Sequence, residues 1–560
     1  MMRLLERRNI LGSILVGSAL LLYGCMKVGP DYVRPQTSVS PNWLEERDER
    51  VKTEPVQYRA WWEAFNDPVL NRIIDHAYRE NLTLKIAGVR VLEARAQLGI
   101  AVGDLYPQTQ QVTGSLLRNR TSERSVQAAS GQAAAGQAAG QPMGRSNGPS
   151  HEGSQAQSGA QQGIESTFWQ DEVSLSAAWE IDFWGKFRRA VESADAALLS
   201  AVADYDSALV SLTADVANSY VQIRVLQKRI EIARQNVETQ KESLQIAEVR
   251  FNGGLTSQRD VEQAKTVLFN TQATIPTLEA QLSQAGNALS VLLGLPPSKL
   301  EDLLHDATDI PAPPPRVAVG IPADLLRRRP DVRGAEVRAV AQSARIGVAK
   351  AELLPAFSLT GSFGFLSTDV GRLELSDIAD WRARTASAGP SFQWNILNYG
   401  RIMNNVRVQD AQFQELLITY QNTVLRAQQE VEDSLAGFLR FQENAEYLAK
   451  SVDAAQKSLD LAVIQYQQGI ADFTTVLTAQ QALLTAQDSL ATALGNISGN
   501  LVGVYRALGG GWEIRLGQDL VSPEVKEAMA QRTNWGKLLA PAVYMPATSG
   551  PGPSVRWPDW

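Results

Sequence analysis

At 560 residues, with 20% charged side chains, the chain is long enough for several domains. Its net charge of −7 is spread without a basic face, which leaves nucleic acid no footprint. The single cysteine, Cys25, excludes an internal disulfide, and His76, His151 and His305 stand at no metal-ligand spacing, so no cofactor is implied. No phosphate-cradling glycine loop, nucleophile elbow or zinc-helix motif occurs, and enzymatic chemistry has nothing to rest on.

Arg3, Arg7 and Arg8 precede an apolar run at residues 10–22, shorter than the roughly 20 residues of a membrane-spanning helix. The run fits a secretory signal over residues 1–24. It ends in Leu22-Tyr23-Gly24-Cys25, which resembles a bacterial lipoprotein cleavage box although Tyr23 is larger than usual. On that resemblance Cys25 becomes the first mature residue and carries lipid, palmitate included. Met26 stands where an Asp would signal inner-membrane retention, so the implied address is the outer membrane.

Further along, the chain repeats itself. Trp179–Gly185 lines up with Trp394–Gly400, Arg250–Leu255 with Gln465–Ile470, and Leu293-Gly294 with Leu508-Gly509, always 215 residues apart. An ungapped register of that length means two copies of one structural unit. Upstream, Leu105-Tyr106-Pro107 matches Leu353-Leu354-Pro355 at a separation of 248, so 33 extra residues fall in the first copy between Pro107 and Trp179. The run at 128–163, rich in Gln, Ala, Gly and Ser, offers little to bury and reads as a disordered extracellular loop.

In chain order, helices at 61–106 lead into a β-hairpin at 107–184 with that insertion near 128–163. Residues 172–183 alternate strictly, with Val173, Leu175, Trp179 and Ile181 on one face and Ser174, Ser176, Glu180 and Asp182 on the other. A long helical hairpin at 185–295 follows: residues 186–252 hold neither proline nor glycine, and Gly253-Gly254 reverses the chain. At about 1.5 Å per residue that helix approaches ~100 Å. A linker at 296–321 and a helix at 322–354 lead to a second β-hairpin at 355–399, a second long helical hairpin at 400–509 turning at Gly469, and a tail at 510–560.

Four strand segments, apolar on one face, polar on the other and aromatic at the ends, carry the signature of a lipid-facing barrel with a wet lumen. Four strands cannot close; two copies would supply eight and three would supply twelve. Eight strands leave an interior just filled by side chains, so hydroxyl and acidic inner faces favour three copies or more.

The stretch Ile321-Pro322-Ala323-Asp324-Leu325-Leu326-Arg327-Arg328-Arg329-Pro330-Asp331-Val332, with residues 179–186, Leu292–Pro296 and Ala507–Trp512, resembles the TolC-like outer membrane factors. The similarity is to their NodT-like lipoprotein branch, which serves resistance-nodulation-division (RND) efflux pumps. Gly334 departs, where Ala is usual. The arginine-rich stretch itself reads as a helix start, with Pro330 at the first position and Asp331 and Glu336 near the positive end. The resemblance implies an α+β membrane protein: a trimeric, twelve-stranded outer-membrane β-barrel, four strands per chain, continued by a long antiparallel α-helical periplasmic barrel. An equatorial belt is implied from residues 25–60, 296–321 and 510–560. The implied partners are two further copies, a periplasmic adaptor, an inner-membrane RND-type pump and outer-membrane lipid. The implied work is passive export of drugs or other small toxic compounds. A protein-secretion duct and a non-conducting periplasmic scaffold are the alternatives.

Two sets of site residues follow from the same resemblance. The tips Gly253, Gly254, Leu255, Gly469 and Ile470 would meet the adaptor. Asp472, Thr474 and Thr478, just after the second turn, match the stretch that narrows the duct in relatives. Asp472 reads equally as a solvated turn residue.

Overall fold

The computed structural model describes residues 26–52, 54, 58–120, 167–297, 301–304, 309–320, 322–324, 328–369, 375–542 and 544. Cys25 and the run at 128–163 lie outside the described residues. The described residues fall into two compact bodies: one of those up to Val28 and within Ala101–Arg188 and Gly347–Asn404, the other of those within Gly29–Ile100 and Arg189–Ile346 and from Asn405 on.

The first body is built on one antiparallel sheet of β1 (Thr109–Arg120), β2 (Thr167–Ile181), β3 (Ala356–Thr368) and β4 (Arg384–Gln393), ordered β1-β2-β3-β4. The pair Val112–Leu175 of β1 and β2 recurs as Leu359–Pro390 of β3 and β4. The second copy therefore follows the first by 215 residues at β4 but by 247, not 248, at β3. The odd residue is accommodated at the start of β1. There Gln108 Oε1 accepts from Glu180 N at 2.7 Å and its Nε2 donates to Asp104 O at 2.8 Å.

The second body is helical. Its elements are α1 (Pro68–Glu80), α2 (Leu82–Gly103), α3 (Lys186–Asn252), α4 (Gln258–Leu292), α5 (Pro330–Ala351), α6 (Arg401–Gln467), α7 (Phe473–Ala507) and α8 (Pro523–Arg532), several of whose ends belong to the first body. The repeat is visible in the lengths: α3 and α6 have 67 residues each, α4 and α7 have 35, and α2 and α5 have 22. The positions that set the helical period in α3, from Leu209 through Tyr220 and Ile230 to Val237, are all buried. Each hairpin turns on a left-handed glycine, Gly254 at φ 72° and Gly469 at φ 77°, where a side chain would be strained.

Helix α3 packs on α4 through Leu226, Ile230 and Ala233 against Leu278. Its next neighbour is α7, with Asn236 Nδ2 donating to Gln487 Oε1 at 2.8 Å and Arg229 pairing with Asp488 at 2.6 Å. Helix α7 packs in turn on α6 through Val476 and Leu483 against Leu459 and Ala462. Helix α5 also lies between α3 and α6, with Arg333 reaching Asp206 at 3.0 Å and Val332 and Ala335 against Tyr420 and Val424. Helices α7 and α5 thus occupy one slot in succession. At their joint Arg329 Nη1 donates to Ala507 O at 2.8 Å, and Gly509 admits Arg329 so closely that an added Cβ would stand 3.1 Å from its Cα. The first copy repeats the joint, with Asn81 Nδ2 donating to Leu292 O at 2.8 Å and Gly294 beside Glu80.

Candidate functional site

Three features stand out in the described residues: the sheet faces, the hairpin tips and a buried ionic clasp. On the sheet, Val112, Leu175 and Phe363 form one cross-strand row and are 73%, 53% and 42% exposed. Val173, Leu359 and Phe392 extend the same bare apolar face. A sheet bathed in water would hide such a face beneath another layer. The opposite face is paired by hydroxyls: Thr113 Oγ1 with Ser174 Oγ at 3.0 Å, and Ser362 Oγ with Ser387 Oγ at 2.8 Å.

Aromatic residues mark both ends. At one, Trp381 packs on Phe363 and Phe365, and Arg118 lies over Trp169. At the other, the indole nitrogens of Trp179, Trp184 and Trp394 donate to the carbonyls of Leu105, Pro355 and Leu353 at 3.2, 2.8 and 3.0 Å. Among the described residues the outer edges of β1 and β4 have no strand beside them. No described helix is long and apolar enough to cross a membrane.

At the tips, Gly253, Gly254 and Leu255 follow α3, and Gly469 and Ile470 follow α6; Leu255 and Ile470 are exposed. The two tips are brought together by Arg250, which lies 4.7 Å over the Tyr466 ring and donates from Nη1 to Gln467 O at 2.9 Å. Tyr466 packs in turn on Phe473. Asp472 is the N-cap of α7: its Oδ1 accepts from Thr475 N at 3.1 Å and Thr475 Oγ1 at 2.8 Å. The first copy exchanges the roles, with Asp260 accepting from Ser257 Oγ at 3.3 Å. Asp472, Thr474 and Thr478 are exposed, and Thr478 Oγ1 donates to Thr474 O at 2.8 Å. Thr474 and Thr478 stand on the face of α7 opposite the buried Phe473 and Val476.

The clasp was not anticipated by motif. Asp206 is fully buried and accepts from Arg515 Nε, from Arg515 Nη2 at 2.9 Å and from Arg333 Nη2 at 3.0 Å. The Trp512 ring lies 4.5 Å from the Arg333 guanidinium and 5.7 Å from that of Arg515. Arg515 Nη1 also donates to Tyr544 O at 2.7 Å, which ties the tail to α3. Burial pushes the Asp206 carboxyl up and Arg333 down, while the guanidiniums pull the carboxyl back. A guanidinium does not deprotonate in a protein, so Asp206 stays charged as its counter-ion. The available signal was an acid placed on the apolar stripe of α3 between Val202 and Leu209, both buried.

The arginine-rich stretch joins the same region. Arg328 lies 3.3 Å over the Tyr58 ring and pairs with Glu513 at 2.6 Å, and α5 begins at Pro330.

Comparison with known proteins agrees with this geometry. Residues 73–295 and 321–510 match the family model described as outer membrane efflux protein. Nodulation protein T of Rhizobium leguminosarum bv. viciae is 31% identical over 462 residues, 82% of this chain and 86% of the relative. The pyoverdine export outer membrane protein OpmQ of Pseudomonas putida is 29% identical, covering 88% of this chain and 96% of its own. Among solved structures, the outer-membrane channel OprN superposes with a TM-score of 0.75 at 30% identity, over 87% of this chain and all (100%) of that one.

Proposed function

The chain belongs to the outer membrane efflux protein family, whose members are transport ducts and not enzymes, and from that premise we propose that it is the exit duct of a tripartite pump. Three copies pool their sheets into a twelve-stranded barrel in the outer membrane. Their long helices form the periplasmic tunnel, and lipid on Cys25 holds the N-terminus at the membrane. Substrate arrives from an inner-membrane pump of RND type through a periplasmic adaptor docked on the tips at Gly253–Leu255 and Gly469–Ile470. The duct conducts passively, and its cargo is drugs or other small toxic compounds. Asp472, Thr474 and Thr478 line its periplasmic aperture.

The observation that carries this reading is the sheet. It is apolar and bare on one face, hydroxyl-lined on the other, and open at both edges among the described residues. Such a sheet is stable only as part of a closed wall between lipid and water. Purified protein in a planar lipid bilayer should give discrete single-channel conductance steps. A trimer that inserts and never conducts would leave the scaffold reading instead. Restored tolerance to toxic small molecules in a strain lacking the gene tests the cargo.

A further inference from the structure

We propose that the β4 edge of one copy pairs antiparallel with the β1 edge of a second copy in a single register, Ser391 opposite Ser115 and Phe392 opposite Gly114. The proposal rests on the barrel reading and adds to it the residue-by-residue seam.

The argument comes from the repeat. Inside one chain, the β2–β3 pairing joins the first copy of the unit to the second. Strand β4 is the counterpart of β2, and β1 is the counterpart of β3. Closing a ring of identical chains asks β4 and β1 to make that same joint between molecules. The strand offset of 215 for β2 to β4 comes from the sequence repeat, and with it the pairings Val112–Leu175 and Leu359–Pro390 give 247 for β1 to β3. Carrying the observed pair Ser176–Ser362 through these offsets gives Ser391 and Ser115; Ala177–Gly361 gives Phe392 and Gly114.

Side-chain chemistry provides a check that the offsets did not use. On the hydroxyl face the register opposes Ser391 to Ser115, Gln393 to Thr113 and Ser387 to Asn119. These are pairs that can hydrogen-bond, as Ser362 and Ser387 do within the chain. On the bare face it opposes Pro390 to Leu116, Trp394 to Val112 and Phe392 to Gly114, an aromatic ring laid over a glycine. A slip of one residue would turn Phe392 against Thr113 or Ser115 and send every side chain to the wrong face. Using the 248-residue offset of the Pro107 motif makes that error. Pro390 offers no donor, so the flanking pairs hold the seam.

A second contact follows from the same symmetry. Trp184 is seated in its own chain by donating to Pro355 O, and its counterpart Tyr399 is 98% exposed. In the closed ring Tyr399 meets Pro107 of the next copy, the counterpart of Pro355.

The experiment is disulfide trapping in the full-length protein in native membranes. After mild oxidation, Ser115→Cys/Ser391→Cys should give covalent multimers that collapse on reduction. Their yield should be about tenfold that of Thr113→Cys/Ser391→Cys or Leu117→Cys/Ser391→Cys, whose sulfurs sit a diagonal step away. Thr113→Cys/Gln393→Cys, in the same register, supplies an independent pair should the first fold poorly. Stronger trapping of an off-register pair, or no trapping in any pair while native mass spectrometry shows a trimer, overturns the register and leaves the barrel reading intact. A monomer by native mass with no trapping overturns both.

Discussion

Asp206→Asn is the sharpest test of how the helical body is held. The substitution keeps the side-chain volume and removes one charge. It leaves two guanidiniums, on side chains 1% and 6% exposed, without their shared counter-ion. Breaking a buried pair in this way costs roughly 3–5 kcal/mol, because the remaining charge has neither water nor partner. Arg515 also holds Tyr544 O, so the loss should fall first on the tail from Trp512 to Tyr544. Hydrogen exchange of the purified protein, read on peptides from that tail, should accelerate by roughly two to three and a half orders of magnitude, at 1.4 kcal/mol per tenfold.

Two controls separate burial from charge. Asp204 pairs with Arg338 two positions away, but both side chains are about half exposed, at 54% and 46%. Asp204→Asn should therefore change exchange by less than about fivefold, since such exposed pairs contribute at most ~1 kcal/mol. Replacing the whole cluster with Asp206→Leu, Arg333→Met and Arg515→Met removes the stranded charges and should return the protection lost to them, but not the share that rests on the Arg515 bond to Tyr544 O. Less than about tenfold acceleration in Asp206→Asn would refute the view that this cluster anchors the tail.

Four other outcomes are expected. Gly88→Ala should loosen tail docking by roughly 1–3 kcal/mol, because a Cβ there runs into the Leu520 carbonyl, whereas Gly99→Ala, with nothing within 4 Å, should gain about 0.5–1 kcal/mol; thermal melts compare them. The hydrogen bond from Arg50 holds the Asp48 carboxyl down at about 2, below its unfolded value near 3.9, so its stabilisation is present above about pH 4 and lost as pH falls through 2. Proteolysis of residues 43–52 should rise across that window and should lose that dependence in Asp48→Asn. Asp472→Asn keeps an N-cap of equal quality and removes one charge per copy, so the fold should persist while bilayer cation preference through the proposed aperture falls; unchanged selectivity takes Asp472 out of that proposal. Cys25→Ser should abolish palmitate labelling, and label retained on that variant would end the lipoprotein assignment.

What the sequence made legible is what has period or punctuation. Residues 186–252 carry no glycine or proline, and α3 spans Lys186–Asn252. The alternation of Val173, Leu175 and Trp179 with Ser174, Ser176 and Glu180 is the alternation of the sheet faces. Single-residue events were not legible. Gln108 alone shifts the strand register from 248 to 247, and one extra residue at a strand start leaves no periodic trace. Long-range ion pairs were hidden for another reason: Asp206 meets Arg333 and Arg515 at 127 and 309 residues' separation, and a charge list cannot pair them. The arginine-rich stretch was read as a helix start, and α5 does begin at Pro330; Arg329 finds one partner nearby in Asp331, but Arg328 pairs with Glu513, far away in the chain.

The shared slot between α3 and α6 explains why those arginines gather where they do. A single helix beside a 67-residue partner would leave no ends inside the body. Splitting it into α7 and α5 creates a helix C-terminus and a helix N-terminus at one joint, each with backbone groups that lack partners in their own helix. Arg329 answers the first by donating to Ala507 O, and Asp331, in the first turn of α5, suits the positive end of the second. Arg328 binds Glu513 and Arg333 binds Asp206, so both the tail and α3 are fastened within one turn of the break. The joint therefore gathers the polar cost of the split and turns it into the attachment point for the tail. Arg329→Met should uncouple α7 from α5 by stranding the carbonyls of the α7 terminus, and faster exchange should appear at Val504–Gly509 before it appears anywhere along α3. Uniform acceleration along α3 instead would show that the two stacked helices behave as one.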